Sequence, residues 1–360
     1  MTLLHQIPWK RLIKIAKPFW ISEQRNEGLK FLAYVLGFMA LQFVALYLIN
    51  KMVGLFMTAF EQKKIFEFCV STACYLILLA INTPLQAQYD YNKTVLALTW
   101  RKWLTLEHMA KYFKDHVFAK LSPDIDNPEQ RIGQDIDSFC NSVVGLLITI
   151  IQASGKVLVF SFVLWSITPR LFWFVMTYAT IGLLIVSARG KLMPKVDEKR
   201  LKQEADLRTA IGSARDPVFV ANSTEAAIAQ LHQESVNKLS SVIDTLLMLA
   251  GLNRHVHMFT IGFNMLPQVI PVLITAQLYF SGQIEFGVVS QAVMAFLHVF
   301  EGATVLIAQY NGISAFTAIT NRIGSLLEEA EAIMEASKPI PRSKALVCIP
   351  KEELDHGNTE

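Results

Sequence analysis

Apolar residues gather in long runs, and the polar stretches between them are very unequal in length. Residues 31–50, 68–89, 171–188 and 255–284 contain no Asp, Glu, Lys or Arg. Residues 138–169 carry only Lys156, and residues 286–321 carry only Glu301. About 20 mostly apolar residues suffice to cross a bilayer as a helix. Six runs of 18 residues or more therefore predict six transmembrane helices in an all-α membrane protein, because buried helices of soluble domains show shorter runs.

The polar stretches 90–137 and 189–254 are far longer than the others. The first keeps heptad-like apolar positions at Leu98, Leu104, Met109, Tyr112, Phe113 and Val117. The second contains VDEKRLKQEADLRTAIG, which has no proline and is rich in helix formers. Both read as helices continuing out of the membrane. Basic residues sort with them. Twenty-eight of the 33 lie in the two long stretches and the two chain ends; only Lys51, Lys63, Lys64 and Arg170 fall in the short connections. The positive-inside rule then places both termini in the cytoplasm, with a bacterial inner (plasma) membrane as the expected location.

Composition agrees. The chain is 52% hydrophobic and 18% charged, with a mean hydropathy of +0.36. That excludes a disordered chain, a disulfide scaffold and an ordinary soluble enzyme. A net charge of +3 is too small to imply a nucleic-acid partner. Cys69, Cys74, Cys140 and Cys348 form no CxxC pair, so buried free thiols and no metal site are expected. At the N-terminus, Trp9, Leu12, Ile13, Ile15, Ala16, Phe19 and Trp20 alternate with Lys10, Arg11, Lys14 and Lys17. This predicts an amphipathic helix along the inner leaflet, in contact with lipid.

Polar residues inside the runs are the candidate cavity and coupling positions. A carboxylate at mid-membrane is expensive unless paired, protonated or in a wet cavity. Glu301 is the foremost candidate, with His298 one turn before it. Lys156 either reaches the outer interface or pairs with Glu301. Asn264 and Gln268 stand in the fifth run with Pro267 and Pro271, whose missing N–H groups should bend the fifth helix and free carbonyls.

Ahead of the third run stands Asp126-Asn127-Pro128-Glu129-Gln130-Arg131-Ile132, followed by Asp135 and Phe139. Asn127-Pro128 signals a turn. Pro128 suits a helix's first position, and Glu129 puts negative charge where free N–H groups point. Arg131 and Asp135, four apart, can pair on one helix face.

Three strings carry a family resemblance: this one, Trp100-Arg101-Lys102-Trp103-Leu104-Thr105, and Glu204-Ala205-Asp206-Leu207-Arg208 with Arg215-Asp216. Over residues 8–327 the chain resembles the transmembrane domain of ABC exporters. The subfamily includes peroxisomal fatty-acyl transporters, YddA-like proteins and the related SbmA/BacA peptide and cobalamin transporters. The resemblance implies a type IV exporter domain that works as a homodimer by alternating access. Its substrates would be bulky amphipathic solutes: cobalamin, peptides or acyl compounds. It places Asn127, Pro128, Glu129, Gln130, Arg131 and Asp135 in the first intracellular loop. Glu204, Asp206, Arg208 and Arg215 fall near the second. Two departures qualify it. No GxxxxGK[ST] string occurs, and Pro217-Val218-Phe219-Val220 replaces the usual acidic and Ile-Ala pattern.

The chain is therefore expected to be no enzyme and to hold no cofactor of its own, with ATP reaching the system through a separate nucleotide-binding subunit. Proton-gradient drive of the SbmA/BacA kind is an alternative. So is a non-transporting scaffold or a fragment of a split or fused transporter. The expected organisation is an amphipathic elbow at 1–28, a six-helix membrane domain at 29–327 and a polar cytoplasmic tail at 328–360.

Overall fold

The computed structural model describes residues 8–190, 193–215, 220, 224–308 and 310–337, and all regular structure among these is helical. Helix α1, Trp9–Ala16, is amphipathic and lies in the segment expected to form the elbow. Helices α2, Arg25–Glu61, and α3, Ile65–Phe113, follow. Next come α4, Ile136–Ile167, α5, Pro169–Gly190, and α6, Met193–Ser213. The last four are α7, Glu225–Met265, α8, Ile270–Phe280, α9, Phe286–Ala308, and α10, Tyr310–Ala336.

The run lengths explain the helix lengths. With 49 residues, α3 extends about 73 Å at 1.5 Å per residue, more than twice the hydrocarbon core. The second apolar run and the heptad stretch after it are thus one helix. Five stretches among the described residues are long and apolar enough to cross a membrane: Arg25–Glu61, Ile65–Lys120, Pro128–Ile167, Glu225–Phe280 and Phe286–Val305. The sequence predicts six. The remaining run, 171–188, lies in α5, whose side chains from residue 186 onward are outside the described set. Large apolar side chains such as Leu76, Ile77, Leu158, Phe162 and Leu273 are more than half exposed on the isolated chain, as lipid-facing surfaces should be.

The chain divides into two units. One takes the described parts of Met1–Gly37, Gln88–Leu147 and Tyr310–Glu360; the other takes Phe38–Ala87 and Ile148–Gln309. The first is built on α10. Phe19, Trp100, Phe139 and Phe316 are buried together, with Phe19 stacked 5.6 Å from Trp100 and Phe139 stacked 5.7 Å from Phe316. The charged face of the elbow helix turns to protein: Arg11 Nη2 lies 2.9 Å from Glu328 Oε2, and Lys14 Nζ lies 2.6 Å from Glu331 Oε2. The boundary expected at 327 falls inside α10, which stays helical to Ala336.

The second unit packs Phe160, Leu164, Leu171, Val175, Phe296 and Val299 into one core. In this unit the α2 and α9 backbones approach closely: a Cβ at Gly287 would lie 1.8 Å from Gly54 O. Asn50 Nδ2 donates to Gln291 O at 3.0 Å nearby.

Two expectations about cysteine and the first loop change here. Cys69 and Cys74 are exposed, because α3 turns those two positions outward from the core, and Cys140 is buried; Cys348 lies outside the described residues. Arg131 does not pair with Asp135. Residues Arg131–Asp135 form a turn of π-helix, which rotates the two side chains off the common face that a four-residue spacing gives in an α-helix.

Candidate functional site

Two groups of candidate residues are brought together, one in each unit. In the second unit α4 and α9 touch backbone to side chain. A Cβ on Gly302 would lie 2.8 Å from Ala153 O and 2.7 Å from Val157 Cγ2. Only glycine allows this approach, and it sets Lys156 of α4 beside Glu301 of α9. Lys156 Nζ is 3.6 Å from Glu301 Oε2. His298 Nδ1 is 3.8 Å from the same oxygen, and its ring lies 4.3 Å from the Phe160 ring centroid. Both ring nitrogens of His298 are buried without a hydrogen-bond partner. The Glu301 side chain is 60% exposed and that of Lys156 is 25% exposed. Of the three ways to tolerate an intramembrane carboxylate, the geometry displays pairing.

Asn264 and Gln268 are exposed on the isolated chain and flank the interruption between α7 and α8. The proline expectation holds at Leu266–Gln268, a 3-10 turn, with Pro271 at the start of α8. In an unbroken α-helix Phe263 O would accept the amide of residue 267, but Pro267 has none. The Tyr178 hydroxyl of α5 takes that carbonyl at 2.8 Å, and its ring stacks on Phe263 at 4.2 Å. Sequence reasoning missed Tyr178. The available signal was a polar-tipped aromatic in a run otherwise free of hydrogen-bonding rings but for Trp173.

In the first unit, Asn127 sits in the left-handed region at φ 43°, which asparagine tolerates better than most residues. Pro128 then opens the helical turn. Arg131 is buried, 4% exposed. Its Nε donates to Asp126 O at 2.9 Å. One Nη donates to Arg322 O and Ser325 Oγ, both at 2.8 Å, and the other pairs with the Asp126 carboxylate. That bond holds the Asp126 carboxyl below the ordinary carboxylate range. Asp135 instead meets Arg322, Nε to Oδ2 at 3.0 Å, as an ion pair without hydrogen-bond alignment. The buried residues of the motif thus clasp α10. Asn127, Glu129 and Gln130 stay exposed at the tip.

The second-loop candidates lie on α6 and just after it. Glu204 bonds Arg200 at 3.0 Å, and Arg200 also reaches Asp197 at 2.8 Å. Asp206, Arg208 and Arg215 are exposed. Between α6 and α7 runs an open groove of about 660 Å³, lined by Leu207, Ile211, Ile228, Leu231, Val236 and Leu239 among others. Positions 216–219 and 221–223 lie outside the described residues. Among the described residues no three His, Cys, Asp or Glu side chains gather as a metal site.

The family model for ABC transporter transmembrane region 2 matches residues 15–213. The chain is 31% identical to ABC transporter D family member 2, chloroplastic, of Arabidopsis thaliana, over 88% of this chain and 45% of that protein. It is 28% identical to an uncharacterized ABC transporter ATP-binding protein of Synechocystis, over 89% of this chain and 50% of that one. It is 24% identical to the lysosomal cobalamin transporter of Mus musculus, over 94% and 57%. The chain spans about half the length of these curated relatives. All-helical architecture, helices long enough to cross a membrane and a match over more than half of its length agree: the chain is an integral membrane protein that belongs to the ABC transporter transmembrane region 2 family.

Proposed function

We propose that this chain is the membrane-spanning part of an exporter-type ABC transporter. It crosses the inner membrane six times with both termini in the cytoplasm, and it moves a bulky amphipathic solute by alternating access. Residues 1–28 form the elbow, 29–327 the membrane domain and 328–360 the cytoplasmic extension, which α10 enters as helix. The observation that carries the reading is the Lys156–Glu301–His298 group. Three ionisable side chains meet on two otherwise apolar helices, with Glu301 mostly exposed. A carboxylate facing lipid would be too costly, so an exposed one belongs in a water-filled path.

Family membership supports transport, and the relatives' names support ATP as the energy source. A nucleotide-binding domain outside these 360 residues supplies it. The names also span cobalamin transport in one relative, in keeping with a bulky solute here. The uncovered apolar groove between α6 and α7 supports a second copy as the partner. The exposed first-loop tip, Asn127, Glu129 and Gln130, and the second-loop residues Glu204, Asp206, Arg208 and Arg215 are the surfaces offered to the ATPase. Asn264 and Gln268 line the path where the fifth span is broken. The test is uptake of labelled cobalamin, peptide or acyl compound into proteoliposomes, with and without ATPase and with and without a pH gradient. Uptake needing ATP supports the proposal. Uptake driven by the pH gradient alone favours the proton-coupled reading, and none under any condition favours a scaffold.

A further inference from the structure

The Lys156–Glu301 pair lies within apolar helices, where an uncompensated charge is costly. Its two charges cancel, and neither side chain is fully covered: Glu301 is 60% exposed and Lys156 25%. The pair cannot slide apart freely. Gly302 pins α9 against Ala153 and Val157 of α4, and the His298 ring lies against Phe160 behind the carboxylate. Among the described residues, the other ionisable side chains of the packed elements are elsewhere. On α5, Arg170 lies near the start of the helix, and the Tyr178 hydroxyl is committed to Phe263 O. α8 carries no Asp, Glu, Lys, Arg or His. On α2, Lys51 sits level with Gln291, whose Nε2 reaches its carbonyl at 3.5 Å; Gln291 is ten residues from Glu301.

A ligand head with a net charge would leave one unbalanced charge at this site. A head that carries both signs would not. Its cation can sit at the outer oxygen of Glu301 and its anion at the Lys156 ammonium, closing an alternating ring of four charges. In an α-amino acid the ammonium and carboxylate are attached to one carbon, a separation suited to a pair whose charged atoms are 3.6 Å apart.

We infer that the Lys156–Glu301 pair is a binding site for the zwitterionic head of an amphipathic solute. This rests on the reading that Glu301 faces the translocation path. The head can come from an amphiphilic amino-acid compound or from a zwitterionic phospholipid, and both present the same chemistry.

The test uses the full chain in nanodiscs of purely anionic lipid. Three probes with the same tail are compared: 2-aminododecanoic acid, dodecanoic acid and dodecylamine. The zwitterion should bind at least ten-fold tighter than either singly charged probe. Glu301→Gln should shift the preference to dodecanoic acid, and Lys156→Met should shift it to dodecylamine. The K156M/E301Q double variant should bind all three within a few-fold. Because the order of affinities is read within each variant, partial loss of folded protein does not imitate the result. Equal binding of the three probes by the wild type, or an order unchanged by either substitution, overturns the proposal. Adding phosphatidylethanolamine to the discs separates the sources: competition with the probe assigns the site to lipid, and no competition assigns it to the amino-acid compound. Glu301→Cys in a cysteine-free background, tested with a membrane-impermeant thiol reagent, keeps the two readings apart. Labelling without probe discrimination sinks only the zwitterion site, whereas no labelling sinks the path itself.

Discussion

Tyr178→Phe removes one oxygen atom and leaves the ring stack on Phe263 in place. The hydroxyl donates to Phe263 O at 2.8 Å, a carbonyl whose ordinary helical donor is missing because residue 267 is proline. Two magnitudes compete. Hydrogen bonds between transmembrane helices average about 0.6 kcal/mol with a maximum near 1.7, whereas an unsatisfied backbone group in hydrocarbon costs several. The unfolded chain in the membrane carries the same prolyl defect and finds partial compensation. The expected cost is therefore about 1–2 kcal/mol, near the top of the measured range. Pro267→Ala supplies the missing N–H, so in that background Tyr178→Phe should cost only a few tenths. The assay is equilibrium unfolding in mixed micelles of increasing sodium dodecyl sulfate, followed through the six tryptophans. A coupling of about 1 kcal/mol or more in the double-mutant cycle is predicted. The same cost in both backgrounds, or none in the wild type, refutes the account of the break between α7 and α8.

Arg131→Met should cost about 2–3 kcal/mol, below the full price of breaking a buried pair because Asp126 is exposed and rehydrates. Hydrogen exchange at residues 320–330 should accelerate with it, and unchanged protection there argues against the clasp. The hydrogen bond from Arg11 holds the Glu328 carboxyl below its ordinary value. Its contribution is then complete above the ordinary glutamate range and is lost as pH falls through the lowered value. Both groups are over a third exposed, so the effect is under about 1 kcal/mol. The protection factors of α1 amides, with the intrinsic pH dependence of exchange divided out, should fall on acidification in the wild type and fall less in Glu328→Gln, which keeps the Lys14–Glu331 pair; matching profiles would count against it. For topology, cysteines at positions 62 and 283 should label from outside intact cells while one at 209 stays protected. Labelling at 209 would invert the orientation.

The long helices were legible because apolar runs and helix length are both local. The elbow was legible from the alternation of Trp9, Leu12 and Ile15 with Lys10, Arg11 and Lys14. The break between α7 and α8 followed from Pro267 and Pro271. What the sequence left open depends on contacts between distant segments. Lys156 and Glu301 are 145 positions apart, and their meeting is decided by Gly302, one small residue at a crossing of α4 and α9. Arg131 looked like the partner of Asp135 by local spacing. A turn of π-helix and two acceptors on α10, nearly two hundred positions away, override that rule. The elbow's cations likewise find Glu328 and Glu331 of α10, which nothing near them in the sequence announces. Cys69 and Cys74 looked buried because their run is apolar, but in a membrane helix apolar surroundings include lipid.

Inside-out vesicles from cells that make this chain together with the proposed ATPase provide the central measurement. ATP-dependent accumulation of an amphipathic solute should be present with the chain and absent without it. Glu301→Gln should change which solute is accumulated while the protein stays folded and membrane-inserted. Accumulation indifferent to the chain, or driven by a pH gradient with ATP absent, would contradict the account.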